Sequence, residues 1–217
     1  KAMIHIGALL HTDVFWVSVE TGATAQIASG LECFMLIANR DFTLAYGCDD
    51  GRIRRLALNG LMPATVSVIA GSDGEGHRDG IGTRAAFAWI CCMALSLDET
   101  VLFVGCRSSI RTIALASGAV RTLAVQRAGA HGTMQLLTEL SVCSYTADLA
   151  VAANGMLMFK SHVSVISAIS PSGELVHIAG KDYRARVDVL LETEAAFERI
   201  TCFSLTPNGG LFVVDGS

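Results

Sequence analysis

The sequence predicts an all-β fold, a β-propeller built of four-stranded antiparallel blades. Three observations predict it. Residues 85–105 (AAFAWICCMALSLDETVLFVG) and 195–215 (AAFERITCFSLTPNGGLFVVD) are copies of one pattern, sharing Ala85/Ala195, Ala86/Ala196, Phe87/Phe197, Ile90/Ile200, Cys92/Cys202 and Leu95/Leu205 without a gap. Residues 147–161 (ADLAVAANGMLMFKS) fit the same strand, turn and strand halfway between them, so the period is about 55 residues, the size of a propeller or solenoid repeat. Finally, nearly every apolar segment is four to eight residues long and bounded by Gly, Asn, Asp or Ser, with no long helical periodicity.

The repeats divide the chain into blades at about 31–71, 72–125 and 126–180, with partial blades at 1–30 and 181–217. In 72–125 the strands are predicted near 90–97, 101–106, 110–116 and 119–125, with turns at Asp98-Glu99-Thr100, Arg107-Ser108-Ser109 and Ser117-Gly118. Four strands joined by tight turns make a meander, the blade of a propeller. The next blade has strands near 148–153, 156–160, 163–169 and 174–179, with Asn154-Gly155 as a hairpin-type turn. The 31–71 blade has strands near 33–38, 42–47, 52–58 and 65–70, and Asp49-Asp50-Gly51 supplies a turn. Residues 3–30 read as the last three strands of a blade, and the chain closes on a second strand at Val214-Asp215. The expectation is three complete and two partial blades of one propeller region, an internal piece of a longer array.

Composition narrows the function classes. The 217 residues are 52% hydrophobic and 17% charged, against a usual charged share of about 25%. A net charge of −4 argues against a chain that binds polyanions over its whole surface. Basic residues are nearly all arginine, which suits interface ion pairs. Most of the seven cysteines sit in apolar strands, where a free thiol packs as a small hydrophobe, and no spacing suggests a zinc site. This points to a reducing compartment such as the cytoplasm. The longest apolar run, 85–97, is too short to span a bilayer as a helix.

Three stretches resemble the NHL-repeat β-propellers. VSVIAGSDGEGHRDGIGTRAAF (66–87) looks like that family's outer strand, its Ala-Gly, and its Gly-rich loop ending small-small-Phe. GRIRRLALNG (51–60) is similar to the family's third strand, and LFVVDGS (211–217) to a second strand ending in Asp; VHIAG (176–180) repeats the Ala-Gly ending. The family's Asp is replaced by Cys48, Cys106 and Lys160 in the other blades, and 126–145 lacks the loop motif. The resemblance implies six blades, with first strands lining a channel and fourth strands forming the rim.

The connections from a fourth strand to the next first strand are long at about 72–89, 126–142 and 181–199, whereas the other turns have two to five residues. Insertions confined to one face mark a binding face. The expected partner-binding residues are His77, Arg78, Asp79, Arg84, His131, Arg184 and Arg186 on these connections, with Arg52 and Arg54 on a third strand. Asp73, Glu75 and Asp79 do not have calcium-loop spacing, and the Gly-rich run lacks the Lys-Ser/Thr of a phosphate loop. First-strand positions Cys91, Met93, Leu95, Leu149, Val151 and Phe203 are apolar, a poor lining for a catalytic metal or base. No GxSxG motif occurs. The expectation is therefore a non-catalytic scaffold in a larger assembly of proteins, with no cofactor, no metal and no membrane segment. The alternatives are a propeller hydrolase or lyase with a channel metal, and an RNA-binding propeller. The latter needs a contiguous basic face with interleaved aromatics.

Overall fold

The computed structural model describes residues 2–8, 11–31, 33, 35–49, 51–58, 64–72, 74, 76–106, 109–127, 135–136, 149–180, 197–206 and 208–216. Strands β1 (Ala2–Ala8), β2 (His11–Val17) and β3 (Thr24–Leu31) form a three-stranded antiparallel sheet. Strands β4 (Met35–Ala38), β5 (Leu44–Cys48), β6 (Arg52–Ala57) and β7 (Thr65–Gly71) form a four-stranded meander. After a short strand β8 (Gly80–Ile81) come β9 (Ile90–Leu95), β10 (Val101–Cys106), β11 (Ser109–Ala114) and β12 (Ala119–Thr122), in the sheet order β8-β12-β11-β10-β9. Strands β13 (Ala124–Arg127), β14 (Gln135–Leu136), β15 (Leu149–Val151), β16 (Leu157–His162), β17 (Val165–Ile169) and β18 (Glu174–Gly180) follow, ordered β14-β13-β18-β17-β16-β15. The last hairpin is β19 (Ile200–Leu205) and β20 (Leu211–Asp215). The chain is thus all-β, made of propeller-type antiparallel blades.

Two compact units result, Lys1–Ile90 with Ile113–Val120, and Cys91–Thr112 with Arg121–Ser217. In the first, Val14, Ile27 and Leu31 of the β1–β3 sheet pack against Ala45 and Leu56 of the next meander, with Cys33 beside them. In the second, Met158, Ile166 and Ala168 pack against Ile200 and Phe203 of the β19–β20 hairpin. Each Val, Leu, Ile, Met or Phe side chain among them contributes roughly 1.5–3 kcal/mol on full burial.

Four turns between the first two strands of a blade share a left-handed fourth residue whose amide bonds back to the first, in two loop lengths. Asn39, Ser96, Ala152 and Thr206 each donate their amide to Leu44, Val101, Met156 and Gly210, and each carbonyl accepts from Phe42, Glu99, Gly155 and Gly209 in turn. Those last four residues all have left-handed backbone, with φ of 57°, 57°, 82° and 87°. Asn154-Gly155 is therefore a turn closed by one left-handed residue, not the two-residue form that needs positive φ at both positions. The side chain of Asn154 instead accepts from the Met156 amide, at 3.1 Å.

The outer strand predicted near 119–125 is broken. Leu123 donates its amide to Ile110, ending the pairing of β12, and the chain then leaves its sheet. Gln126 and Arg127 pair in parallel with Glu174 and Leu175 of β18. Local strand propensity could not distinguish one long strand from two short ones, because the break is made by a choice of neighbour.

The Ala-Gly endings have a steric cause. Gly71 and Gly180 both have φ of 94°. A Cβ on Gly71 would overlap the carbonyl of Gly51, and one on Gly180 the carbonyl of Ser164. Each glycine thus lets an outer strand end tightly against the start of the third strand, where the register shifts between Ile53 and Arg54 and between Ile166 and Ser167. Substituting Gly71→Ala or Gly180→Ala adds left-handed strain of about 1–3 kcal/mol to a backbone overlap. Urea denaturation should show each variant less stable by at least that much, whereas Gly74→Ala, with open space around it, should be near neutral.

Candidate functional site

The 72–89 connection is a braced lobe. Its end, Ala85-Ala86-Phe87, is buried and works as a plug. Arg78 and Ala86 exchange both backbone hydrogen bonds, at 3.2 and 3.0 Å, and Gly76 donates to Phe87. The tip is tied down from the other side. Gly80 and Ile81 pair with Val120 and Ala119, and Gly82 donates to Gly118 at 2.9 Å. The single 3-10 turn Gly82–Arg84 follows, and Arg78 donates Nε to the carbonyl of Arg84 at 2.7 Å. Gly80 has no room for a side chain without pressing on the backbone of Arg84 and Ala85.

With its small residues spent on this bracing, the lobe turns its large ones outward. Arg78, Asp79, Gly80, Ile81, Thr83 and Arg84 line one open basin of about 640 Å³. Ile81 is 51% exposed, and Trp89, at the base of the lobe, is 48% exposed with φ of 48°. A bulky residue in left-handed backbone is uncommon and persists where its surroundings over-determine it. Arginine and tryptophan are enriched among the side chains that carry most binding energy at protein interfaces.

Of the residues expected to bind partners, Arg78, Asp79 and Arg84 are brought together in this basin, and His77 lies exposed beside them. His131, Arg184 and Arg186 lie outside the described residues, as do Asp73 and Glu75. Arg54 is committed to the fold. Its Nε and Nη2 both meet Oδ2 of Asp49 at 2.7 Å, while Oδ1 of Asp49 accepts the Arg52 amide at 3.1 Å. This clamp closes the turn into β6 and neutralises a nearly buried carboxylate. Arg52 pairs with Gly71 across the sheet, and its backbone is part of the same turn.

Three residues escaped sequence reasoning. Trp89 closes the 72–89 connection inside an apolar run and was not singled out, yet it stands exposed in left-handed backbone just before β9. Lys160 is buried and donates Nζ to the carbonyl of Ile200 at 3.1 Å. Arg111, which repeats the Ile-Arg of Ile53-Arg54, is the largest fully buried side chain; that repeated dipeptide was the signal available for it.

Two second strands, β5 and β10, end in buried thiols, Cys48 and Cys106. Each follows a glycine against which a neighbouring sulfur rests, Cys33 on Gly47 and Cys92 on Gly105. Burial pushes the Cys106 thiol up to about 12, opposed in part by the Arg111 guanidinium and reinforced by Cys91 and Cys92. Burial also raises Cys33. β20 ends instead in Asp215, which accepts the amides of Glu198 and Arg199 at 3.1 and 2.7 Å. Among the described residues no three of His, Cys, Asp and Glu come together so as to hold a metal, and no helix is long and apolar enough to cross a membrane.

No protein family and no curated protein matches the sequence. Among solved structures, the chain is similar to a structural genomics protein of unknown function from Bacteroides thetaiotaomicron, with a TM-score of 0.59 and 15% identity over 94% of this chain and 48% of that one. The chain therefore spans about half the length of that protein. It is also similar to the WD40 repeats of RRP9, with a TM-score of 0.45 and 14% identity over 86% of this chain and 52% of that one. For dihydro-heme d1 dehydrogenase NirN the values are 0.48 and 14%, over 94% and 39%. At these identities the likeness concerns the fold alone.

Three outcomes follow from the site's chemistry. Arg54→Ala leaves the Asp49 carboxylate without its charge-assisted partner and should cost about 2 kcal/mol in urea denaturation. In alkylation followed by mass spectrometry, exposed Cys202 should label in the native chain while Cys106 labels only after unfolding. Because the folded Cys106 pKa lies above the ordinary value near 9, its stabilising contribution is complete below about pH 9 and is lost as pH rises toward 12; the urea midpoint should fall across that window.

Proposed function

We propose that this chain is a non-catalytic, NHL-like propeller region that holds partner proteins on the face carrying its long connections, as one component of a larger assembly. The observation that carries this reading is the 72–89 lobe. Its backbone is braced by hydrogen bonds on two sides, so its exposed arginines, Ile81 and Trp89 are presented with little ordering entropy left to lose on binding. A flexible loop of the same composition would forfeit much of that gain. The paired glycines Gly71 and Gly180, at the Ala-Gly endings, support the NHL resemblance at the two places where the sequence shows it best.

The reading is tested by pull-down from an extract of the source organism, comparing the native chain with the double variant Ile81→Asp/Arg84→Glu. Both residues are exposed, so the thermal midpoint should hold while capture of specific partners falls at least tenfold. Unchanged capture by a folded double variant would rule the lobe out as the working surface. Stoichiometric metal in the purified protein, with hydrolytic turnover, would favour the enzyme reading instead.

A further inference from the structure

The 72–89 lobe also carries the chemistry of the partner it fits, an inference that rests on the binding role proposed for it. Arg78, Ile81 and Arg84 follow one another at intervals of three residues and line the same basin. Each is held in place by the bracing of the lobe. The Arg78 Nε is spent on the Arg84 carbonyl, which fixes the plane of the guanidinium and leaves its two Nη groups for a ligand. Arg84 springs from the 3-10 turn that the same bond braces. Ile81 stands on backbone paired to Ala119, with half of its surface open.

Charge sets the sign of the partner. The basin carries two guanidinium groups against the single carboxylate of Asp79, and His77 lies exposed beside it. A carboxylate answers that excess, because the planar fork of arginine takes a carboxylate through two parallel hydrogen bonds. Ile81 calls for an apolar side chain next to the acid. A volume of about 640 Å³, within the roughly 300–1,000 Å³ of ligand sites, suits a few side chains of a linear segment. A nucleic-acid strand fits poorly. No aromatic residue lines the basin to stack a base, and a chain of net charge −4 offers a long phosphate track little attraction.

We propose that the 78–84 basin binds a linear segment of a partner protein in which one or two Asp or Glu residues flank an aliphatic or aromatic residue. The carboxylates meet Arg78 and Arg84, and the apolar side chain covers Ile81. Because only two fixed cations are offered, an isolated acidic motif is preferred to a long acidic tract, which the net negative charge of the chain repels.

A phage-displayed library of random peptides, panned against the purified chain, supplies the probe. Clones retained by the native chain and lost by Ile81→Asp/Arg84→Glu should be enriched in Asp or Glu next to an apolar residue. The tightest of these peptides, labelled and followed by fluorescence anisotropy, should bind Arg84→Glu at least tenfold more weakly. Its counterpart with Lys in place of the acid should bind Arg84→Glu better than it binds the native chain, a reversal that misfolding cannot produce. The proposal is overturned by an absence of lobe-dependent clones, by enriched clones that lack acids, or by equal binding to Arg84→Glu. It is also overturned by a single-stranded oligoribonucleotide that binds the basin more tightly than the peptide, or by a dimer of the native chain that Arg84→Glu dissociates, which makes the occupant a second copy. Natural partners lost with the double variant, together with a selected motif that is not acidic, sink this inference and leave the binding role standing. Acidic peptides held at the lobe, together with natural capture unchanged in the double variant, uphold the chemistry of the basin and remove the lobe from the capture of those partners.

Discussion

Burial of the inner strands on both of their faces is the constraint on which the rest of this structure depends. In β17 all five residues, Val165 through Ile169, are buried, a pattern that one-sided packing cannot produce. A sheet of this kind needs a cover on each side, and the chain supplies it from adjacent repeats. The β1–β3 sheet covers one meander in the first unit, and the β19–β20 hairpin covers another in the second. Most backbone polar groups are satisfied within each sheet, so the stacking contacts can be almost wholly apolar.

That arrangement decides where polar residues can go. Lys160 is tolerated in the stack because its stem packs as an aliphatic chain and its Nζ reaches a backbone carbonyl on the covering hairpin. Asp49 is tolerated because Arg54 folds back on it. The buried thiols of Cys48 and Cys106 need no partner of comparable strength, since a neutral thiol is cheap to bury. The last residue of a second strand is thus filled in different ways at different repeats, and Asp215 anchors the chain that enters β19 by accepting its amides.

The same economy leaves the connections free to specialise. The tight turns between first and second strands reuse one device in two loop lengths, with Phe42 and Glu99 taking the left-handed position that Gly155 and Gly209 take in the shorter turns. The 72–89 connection instead uses a buried Ala-Ala-Phe plug and a strand pair to hold a small lobe. The binding role proposed for it rests on the contrast between its buried Ala-Ala-Phe end and its exposed arginines, Ile81 and Trp89 within fewer than twenty positions.

How much of this was legible depended on range. The strands, the blade-like repetition and the Ala-Gly endings were readable because period, turn chemistry and glycine tolerance are local properties encoded in neighbouring residues. Arg78, Asp79 and Arg84 could be picked out as a group because they lie within seven positions of one another. The sequence by itself determined an all-β chain of repeated meanders and the places where the backbone must turn. Only the tertiary structure decided that Arg54 belongs to Asp49, that Lys160 is buried, that β13 leaves its expected sheet and that Trp89 is presented outward. Each of those outcomes is set by which neighbour, distant in sequence, covers or pairs with a residue, and nothing local encodes that choice.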